Sequence, residues 1–339
     1  MNKKVLLGMS GGVDSSVAAI LLKEQGYDVI GVTMQLWNAD ANEDAKKMCD
    51  YLGIKHYTFN FEEEFKKYVI QDFICEYGKC RTPNPCIECN RHLKFGAMYK
   101  KAQELGCEYI ATGHYAKIEY DENYKAFVLK KSNSVKKDQS YVLYTIPKEL
   151  LDKIIFPLGE FVDKEQIREI ARKYKLPVAN KPDSEDICFV PDGDYKSFLE
   201  KNSCIKSKVG NIVNTQGQIL GQHTGLYKYT IGQRKGLGIS NPVPLFVIGF
   251  NEQKSELIVG EEAEAYTKEF YVDNVNIMQE LKEKVIVKTR YSSKESSATL
   301  VKEENKIKVI LDEPQKAITP GQSAVFYDGD IVLGGGKIV

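Results

Sequence analysis

The chain has 339 residues, 42% of them hydrophobic and 28% charged, with 47 Lys plus Arg against 47 Asp plus Glu. At roughly 150 residues per domain this length implies two or three domains, and the composition excludes a disordered, collagenous or uniformly basic chain. Apolar runs such as Val17 to Leu22 fall far short of the roughly 20 residues needed to cross a bilayer. The eight cysteines, at 49, 75, 80, 86, 89, 107, 188 and 204, are too dilute for a disulfide-stapled scaffold. The start, Met1-Asn2-Lys3-Lys4-Val5-Leu6-Leu7, imitates a signal peptide, but its apolar stretch ends at once in Ser10-Gly11-Gly12-Val13-Asp14 and reads as mature structure. A reducing cytoplasm and no membrane partner are expected.

Strands and amphipathic helices alternate through the first part, the pattern of a parallel sheet covered on both faces. Strand Val5 to Met9 is followed by helix Asp14 to Gln25 with its stop at Gly26, then strand Val29 to Met34. Helix Asn42 to Leu52, strand His56 to Phe61 and helix Glu62 to Tyr77 come next. Arg81-Thr82-Pro83-Asn84-Pro85-Cys86-Ile87-Glu88-Cys89-Asn90 holds two prolines and reads as a rigid loop carrying two thiols. Asn90 is placed as the cap of a helix to Leu105, and strand Tyr109 to Thr112 ends in Gly113-His114. Beyond about residue 205, short β-branched runs punctuated by glycine predict small β domains, with strands Leu245 to Phe250, Lys284 to Thr289, Lys306 to Leu311 and Ala324 to Phe326. The expected division is 1–200 for an α/β catalytic domain, 201–262 for a central β domain and 263–339 for a C-terminal β-barrel.

Gly8-Met9-Ser10-Gly11-Gly12-Val13-Asp14-Ser15 lies between the first strand and the first helix. Glycines there admit a phosphate, and the helix N-terminus supplies N–H donors. The segment lacks the Gly-Lys-Ser/Thr ending of a Walker loop and the spacing of a dinucleotide fold. It resembles the pyrophosphate-binding loop of the ATP pyrophosphatases, the PP-loop group, which split ATP between the α and β phosphates and adenylate a substrate oxygen. In that resemblance Asp14 helps place Mg2+, Ser10 and Ser15 donate to phosphate, and Met34 lies against adenine.

Cys86-x-x-Cys89 and the later Cys188, in Asp183-Ser184-Glu185-Asp186-Ile187-Cys188-Phe189, form a two-plus-one thiol set. With Ala111-Thr112-Gly113-His114-Tyr115, Lys137-Asp138-Gln139-Ser140-Tyr141, Tyr229 to Gly238, Arg290-Tyr291 and Pro320-Gly321-Gln322, the whole chain resembles the tRNA-specific 2-thiouridylase (MnmA) family. The resemblance implies a Rossmann-like PP-loop domain followed by two small β domains. Its activity is 2-thiolation of the wobble uridine (position 34) of tRNAs with Lys, Glu and Gln anticodons, using ATP and Mg2+. On that resemblance Cys188 would carry a persulfide and Cys89 would resolve the covalent intermediate or free the sulfur, a Cys89–Cys188 disulfide marking the end of the turnover. The sulfur comes from a cysteine desulfurase or a sulfur-relay protein. Gly113 lines the ATP site, while Asn84, Pro85 and Cys86 receive the target uridine. His114, Lys137, Asp138, Gln139, Arg290, Tyr291 and Gln322 contact the tRNA.

The family commonly has aspartate where this chain has Cys86, so Cys86, Cys89 and Cys188 could instead hold a [4Fe–4S] cluster with one open iron. A zinc site would need a fourth ligand, from His92 or His114. Asp183, Glu185 and Asp186 oppose ionisation of the Cys188 thiol. Cys49, Cys75, Cys107 and Cys204 read as small buried hydrophobes. Another PP-loop ligase, adenylating a small carboxylate or carbonyl, would leave the thiols without a task. A non-catalytic RNA-binding protein would leave Asp14 and its serines without one.

Overall fold

The computed structural model describes residues 3–37, 41–182, 187–190, 193–203, 205 and 207–339, with backbone alone at 41–42. In the α/β part, β1 (Lys4–Gly8), α1 (Val13–Glu24), β2 (Asp28–Gln35), α2 (Ala41–Leu52) and β3 (Lys55–Asn60) follow in order. α3 (Glu62–Phe65) continues through a π-helical stretch (Lys66–Ile70) into α4 (Gln71–Gly78). α5 (Pro85–Cys89) likewise continues through a π stretch (Asn90–Ala97) into α6 (Met98–Glu104), before β4 (Tyr109–Ala111). A hairpin, β5 (Ala116–Asp121) and β6 (Ala126–Lys131), precedes β7 (Ile154–Ile155), α7 (Lys164–Lys173) and α8 (Tyr195–Asn202).

Five parallel strands form one sheet in the order β3-β2-β1-β4-β7. Val5, Leu6 and Leu7 are all fully buried in β1, because both faces of a parallel sheet are covered and the strand has no solvent side. Leu6 packs into one core with Met98 and Ile110, while Val5 and Leu7 pack into another with Val17 and Leu22. Strand order reverses between β1 and β4, so the carboxyl ends of those two strands flank the crevice where open α/β sheets take ligands.

A four-stranded sheet follows, β10-β11-β8-β9, built from β8 (Gly210–Val213), β9 (Ile219–His223), β10 (Phe246–Asn251) and β11 (Glu256–Gly260). The C-terminal part comprises β12 (Tyr266–Ile277), β13 (Lys284–Lys288), β14 (Ser296–Lys302), β15 (Ile307–Lys316), β16 (Ser323–Asp328) and β17 (Ile331–Ile338). Pairing of β12 with β17 closes these strands into a barrel. The fold is the expected one: a Rossmann-like domain, then two β domains.

Local expectations at two places are corrected. The stretch 81–90 is not a loop throughout, because a helix begins at Pro85: proline is harmless at the first helical position, where its missing N–H has no intrahelical acceptor. The cap is therefore Asn84, whose side chain accepts from Cys86 N at 3.2 Å, rather than Asn90, which lies fully buried inside the helix. Cys75 is exposed rather than buried, on the outer side of α4 from Phe73 and Tyr77. Cys49 and Cys107 are buried as expected, and Cys204 lies outside the described residues. The β5–β6 hairpin, not anticipated, leaves the α/β part and pairs with β17 through Lys130 and Ile331, tying the first domain to the barrel.

Candidate nucleotide pocket and thiol turn

A cavity of about 360 Å³ opens at the ends of β1, β2 and β4. Its walls include Gly8, Met9, Ser10, Asp14 and Ser15 from the glycine loop, Met34 from β2, and Gly113, His114 and Gln139. These are expected site residues from four separate stretches of sequence. Val32, Lys94, Met98 and Thr112 also line it and were not foreseen. α1 has Gly12 as its cap with no side-chain hydrogen bond, so its first-turn N–H groups remain available to an anion. Ser10 and Ser15 hydroxyls lie 3.2 Å apart, and Ser15 also donates to Gly12 O at 3.2 Å. Lys181 donates to Gly11 O at 3.3 Å and to Asp44 at 2.8 Å, fastening the loop from outside. Gly113 is held close rather than in unusual dihedrals: a Cβ there would stand 3.1 Å from Asp14 C and Ser15 N, tight enough to press on the loop by a few tenths of an ångström.

Asp14 faces two partners that are distant in sequence. Lys164, the first residue of α7, donates to its carboxylate oxygens at 2.5 and 2.6 Å, and Tyr115 OH donates at 2.8 Å. Among the described residues Asp14 is the one carboxylate lining the cavity. That suits Mg2+, which binds through one or two carboxylates plus substrate phosphates and needs no protein cage. Asp14 would hold the ion, and Lys164 would share or yield its contact.

His114 is 8% exposed and held at both ring nitrogens. Lys94 Nζ lies 3.4 Å from Nε2, and Thr112 Oγ1 lies 2.7 Å from Nδ1. An ammonium can only donate, so Nε2 is the acceptor and Nδ1 carries the proton toward Thr112. Burial, reinforced by Lys94, holds the imidazole well below its usual pKa, so the ring is neutral. Gln139 Oε1 accepts from Tyr115 N at 2.9 Å, which fixes the orientation of its amide beside the cavity.

The thiols sit next to this pocket. Cys86 is exposed on the first turn of α5; Cys89, three residues on, is 8% exposed and packs with Phe65, Leu93 and Phe189. Phe189 follows Cys188, so the cluster that buries Cys89 also anchors the Cys188 segment. Burial pushes the Cys89 thiol up to about 12, with Cys188 and Cys86 adding to the rise and Lys94 opposing it. Cys188 is open to solvent on one side yet crowded on the others; burial and then Cys86 raise its thiol, against Lys94. Each described cysteine is a free thiol. Asp183, Glu185 and Asp186, expected to disfavour the Cys188 thiolate, lie outside the described residues. Among the described residues no three His, Cys, Asp or Glu side chains are grouped to hold a metal ion, so neither the iron–sulfur nor the zinc arrangement is preformed.

The residues expected against RNA divide into two kinds. Tyr291 is 40% exposed, edge-on to Tyr141, with Lys288 Nζ 5.6 Å from its ring centre. Burial and Asp138 raise the Tyr291 phenol, and Lys137 opposes them, so both charged side chains lie near that ring. Asp138 itself is buried, accepting from Ser132 N at 2.9 Å and Ser140 Oγ at 2.7 Å. Gln322 donates to Thr82 O at 2.7 Å. Arg290 donates to Ile231 O at 2.9 Å, to Ala317 O at 3.0 Å and to Thr319 Oγ1. Thr82 N donates to Pro320 O at 2.9 Å, and its hydroxyl to Thr230 at 3.1 Å. The loop just before the Cys86 turn is thus gripped by both β domains, and Gln322 belongs to that grip.

Family models match the chain in three consecutive stretches: the tRNA methyl transferase HUP domain over 3–192, the tRNA methyl transferase PRC-barrel domain over 196–261 and the aminomethyltransferase beta-barrel domain over 267–338. The chain is 50% identical over 356 residues to a protein of Clostridioides difficile (strain 630) named tRNA-specific 2-thiouridylase MnmA, covering 100% of this chain and 98% of that one. A protein of the same name from Acetivibrio thermocellus is 49% identical, covering 99% of each chain. Another, from Caldicellulosiruptor saccharolyticus, is 48% identical over 100% of this chain and 99% of its own length.

Proposed function

The chain belongs to the tRNA-specific 2-thiouridylase family, and on that premise we propose that it replaces O2 of the wobble uridine of tRNA with sulfur, using ATP. One observation carries the reading: a single continuous helix carries Cys86 and Cys89 near its start and Lys94, a wall of the nucleotide cavity, five residues further on. Uracil O2 is a poor leaving group, so the chemistry needs both halves of this site. O2 attacks the α-phosphorus of ATP, pyrophosphate leaves, and the O2-adenylated base becomes open to attack at C2. Mg2+ at Asp14 would neutralise charge on the departing pyrophosphate. The α1 N-terminus and the Ser10 and Ser15 hydroxyls hold the phosphates, and Gly113 keeps that approach clear.

The sulfur step follows. The terminal sulfur of a Cys188 persulfide, supplied by a cysteine desulfurase or sulfur-relay protein, attacks C2 and AMP leaves. Cys89 thiolate then attacks Sγ of Cys188, breaking the S–S bond; the electron pair stays on the sulfur of 2-thiouridine, and a Cys89–Cys188 disulfide remains. An external thiol reduces it before the next turnover. The raised Cys89 thiol fits a residue that ionises only once substrate and Lys94 are in place. Asn84, Pro85 and Cys86 stand at the mouth of the thiol turn and receive the flipped uridine. Exposed Tyr291 offers a stacking face, with Lys137 for the phosphate backbone. The tRNA set is that with Lys, Glu and Gln anticodons. Methyl transfer, suggested by the wording of the family models, would use neither ATP cleavage nor the thiols.

The test is thiolation of unmodified tRNA with ATP and Mg2+, read as 2-thiouridine by nucleoside mass spectrometry. Metal-free protein with a persulfide donor is compared with iron-reconstituted protein plus sulfide. Product without iron, lost in Cys188→Ser and kept in Cys86→Ala, is expected. Product only with iron, lost in both variants, would replace the persulfide steps with a cluster. No product in either arm would end the thiolation reading.

A further inference from the structure

The glycine loop carries no lysine between Gly8 and Ser16, so a side-chain cation for the nucleotide, beside Mg2+ and the α1 N-terminus, has to come from another element. Lys164 is engaged by Asp14. His114 is neutral. Among the described residues Lys94 is the remaining basic side chain on the cavity wall. It is partly buried, and among the described residues no carboxylate lies within ion-pair distance of it. Its polar contact is the acceptor nitrogen of His114, an uncharged partner that orients the ammonium without neutralising it. A half-buried ammonium with no carboxylate partner among the described residues, in a cavity with anion-binding walls, is a site prepared for an anion.

Helix geometry explains how Lys94 reaches there. It lies five residues after Cys89, and in a regular α-helix the two would point to well-separated faces. The π stretch Asn90–Ala97 has i→i+5 periodicity, which brings residue 94 back beneath residue 89. Lys94 therefore stands where its charge reaches Cys89 and Cys188 and where it faces the cavity that the glycine loop also lines.

Resting on the thiolation reading, we propose that Lys94 is a further catalytic residue: its ammonium takes the α-phosphoryl oxygens of ATP and of the adenylated uridine, with His114 and Thr112 orienting it. The charge on those oxygens grows as O2 attacks phosphorus and leaves with AMP when sulfur attacks C2. A fixed cation there accelerates both steps.

The experiment uses the full-length protein with tRNA, ATP and Mg2+, measuring tRNA-dependent pyrophosphate release and 2-thiouridine at varied ATP. Lys94→Gln keeps a donor for His114 and removes the charge; Lys94→Arg keeps the charge. Melting temperature and ATP binding confirm folding. Lys94→Gln is expected to lower kcat for pyrophosphate release by about 10²–10³-fold, with the KM for ATP changed by less than about tenfold, while Lys94→Arg recovers at least about tenfold of the loss. A Lys94→Gln kcat within about threefold of wild type would overturn the assignment, as would a loss confined to KM or equal losses in both variants. Should Lys94→Gln not fold, wild-type kcat in Lys94→Met would overturn it and a comparable loss there, with rescue by arginine, would support it. Wild-type protein that makes no 2-thiouridine would instead overturn the thiolation reading.

Discussion

Individual side chains near the cavity are set by burial more than by direct pairing, and the histidines make this measurable. All four lie below the usual imidazole value through burial, with Lys94 adding to the effect at His114 and Arg91 at His92. Unfolded imidazoles take up protons near pH 6.5, whereas the folded ones resist until lower pH. The unfolded state then binds more protons below that value, so stability rises with pH up to about 6.5 and falls on acidification through that window. The depression is largest at His114. Urea midpoints at about pH 5 and about pH 7.5 should differ less in His114→Asn than in the parent. An unchanged difference would mean that His114 is already protonated in the folded protein. The same neutrality explains why His114 can accept from Lys94, a role its place at a strand end suggested only in outline.

At the scale of elements, periodicity revealed most of the α/β frame, because fully buried strands such as β1 and glycine-stopped helices such as α1 carry their own marks. It missed what depends on geometry without a composition signal. The π stretch after Cys89 has no signature in residue order, so the approach of Lys94 could not be read. Proline at position 85 looked like a breaker because the helix start was not seen. α7 was missed despite a legible sign, the capping box formed by Asp163 and Gln166, whose side chain accepts from Asp163 N while Asp163 accepts from Gln166 N at 3.0 Å. That cap fixes where Lys164 enters the helix and hence its reach to Asp14, a contact spanning 150 residues of sequence. Asp163→Ala should cost about 1 kcal/mol of stability in urea unfolding. It should also weaken Mg2+-ATP binding, measured by calorimetry, more than Glu165→Ala does. Equal binding in the two variants would separate the cap from the site.

For the whole molecule, zero formal charge hid how the parts are joined: the junction is made of single polar groups bridging domains. Arg290, from the turn after β13, reaches Ile231 O in the central part and Ala317 O and Thr319 Oγ1 in the barrel, and Thr319 precedes the Pro320 that holds Thr82. Its identity was legible as a motif residue; its bridging role was not, because the three acceptors come from segments without local pattern. Arg290→Met would leave buried acceptors unsatisfied, at roughly 1–3 kcal/mol each where water cannot replace the donor. The central sheet and the barrel should then separate, adding a second transition to thermal unfolding and accelerating proteolysis between Gly260 and Tyr266. ATP binding should remain near wild type, because among the described residues every wall of the nucleotide cavity comes from the α/β part. Thiouridine formation should fall, since the grip on Thr82 sets the approach to Cys86. A variant that melts in one transition at the parent temperature and still thiolates normally would show that Arg290 carries little of the junction, leaving Thr82, Gln322 and the β5–β6 hairpin to hold the domains together.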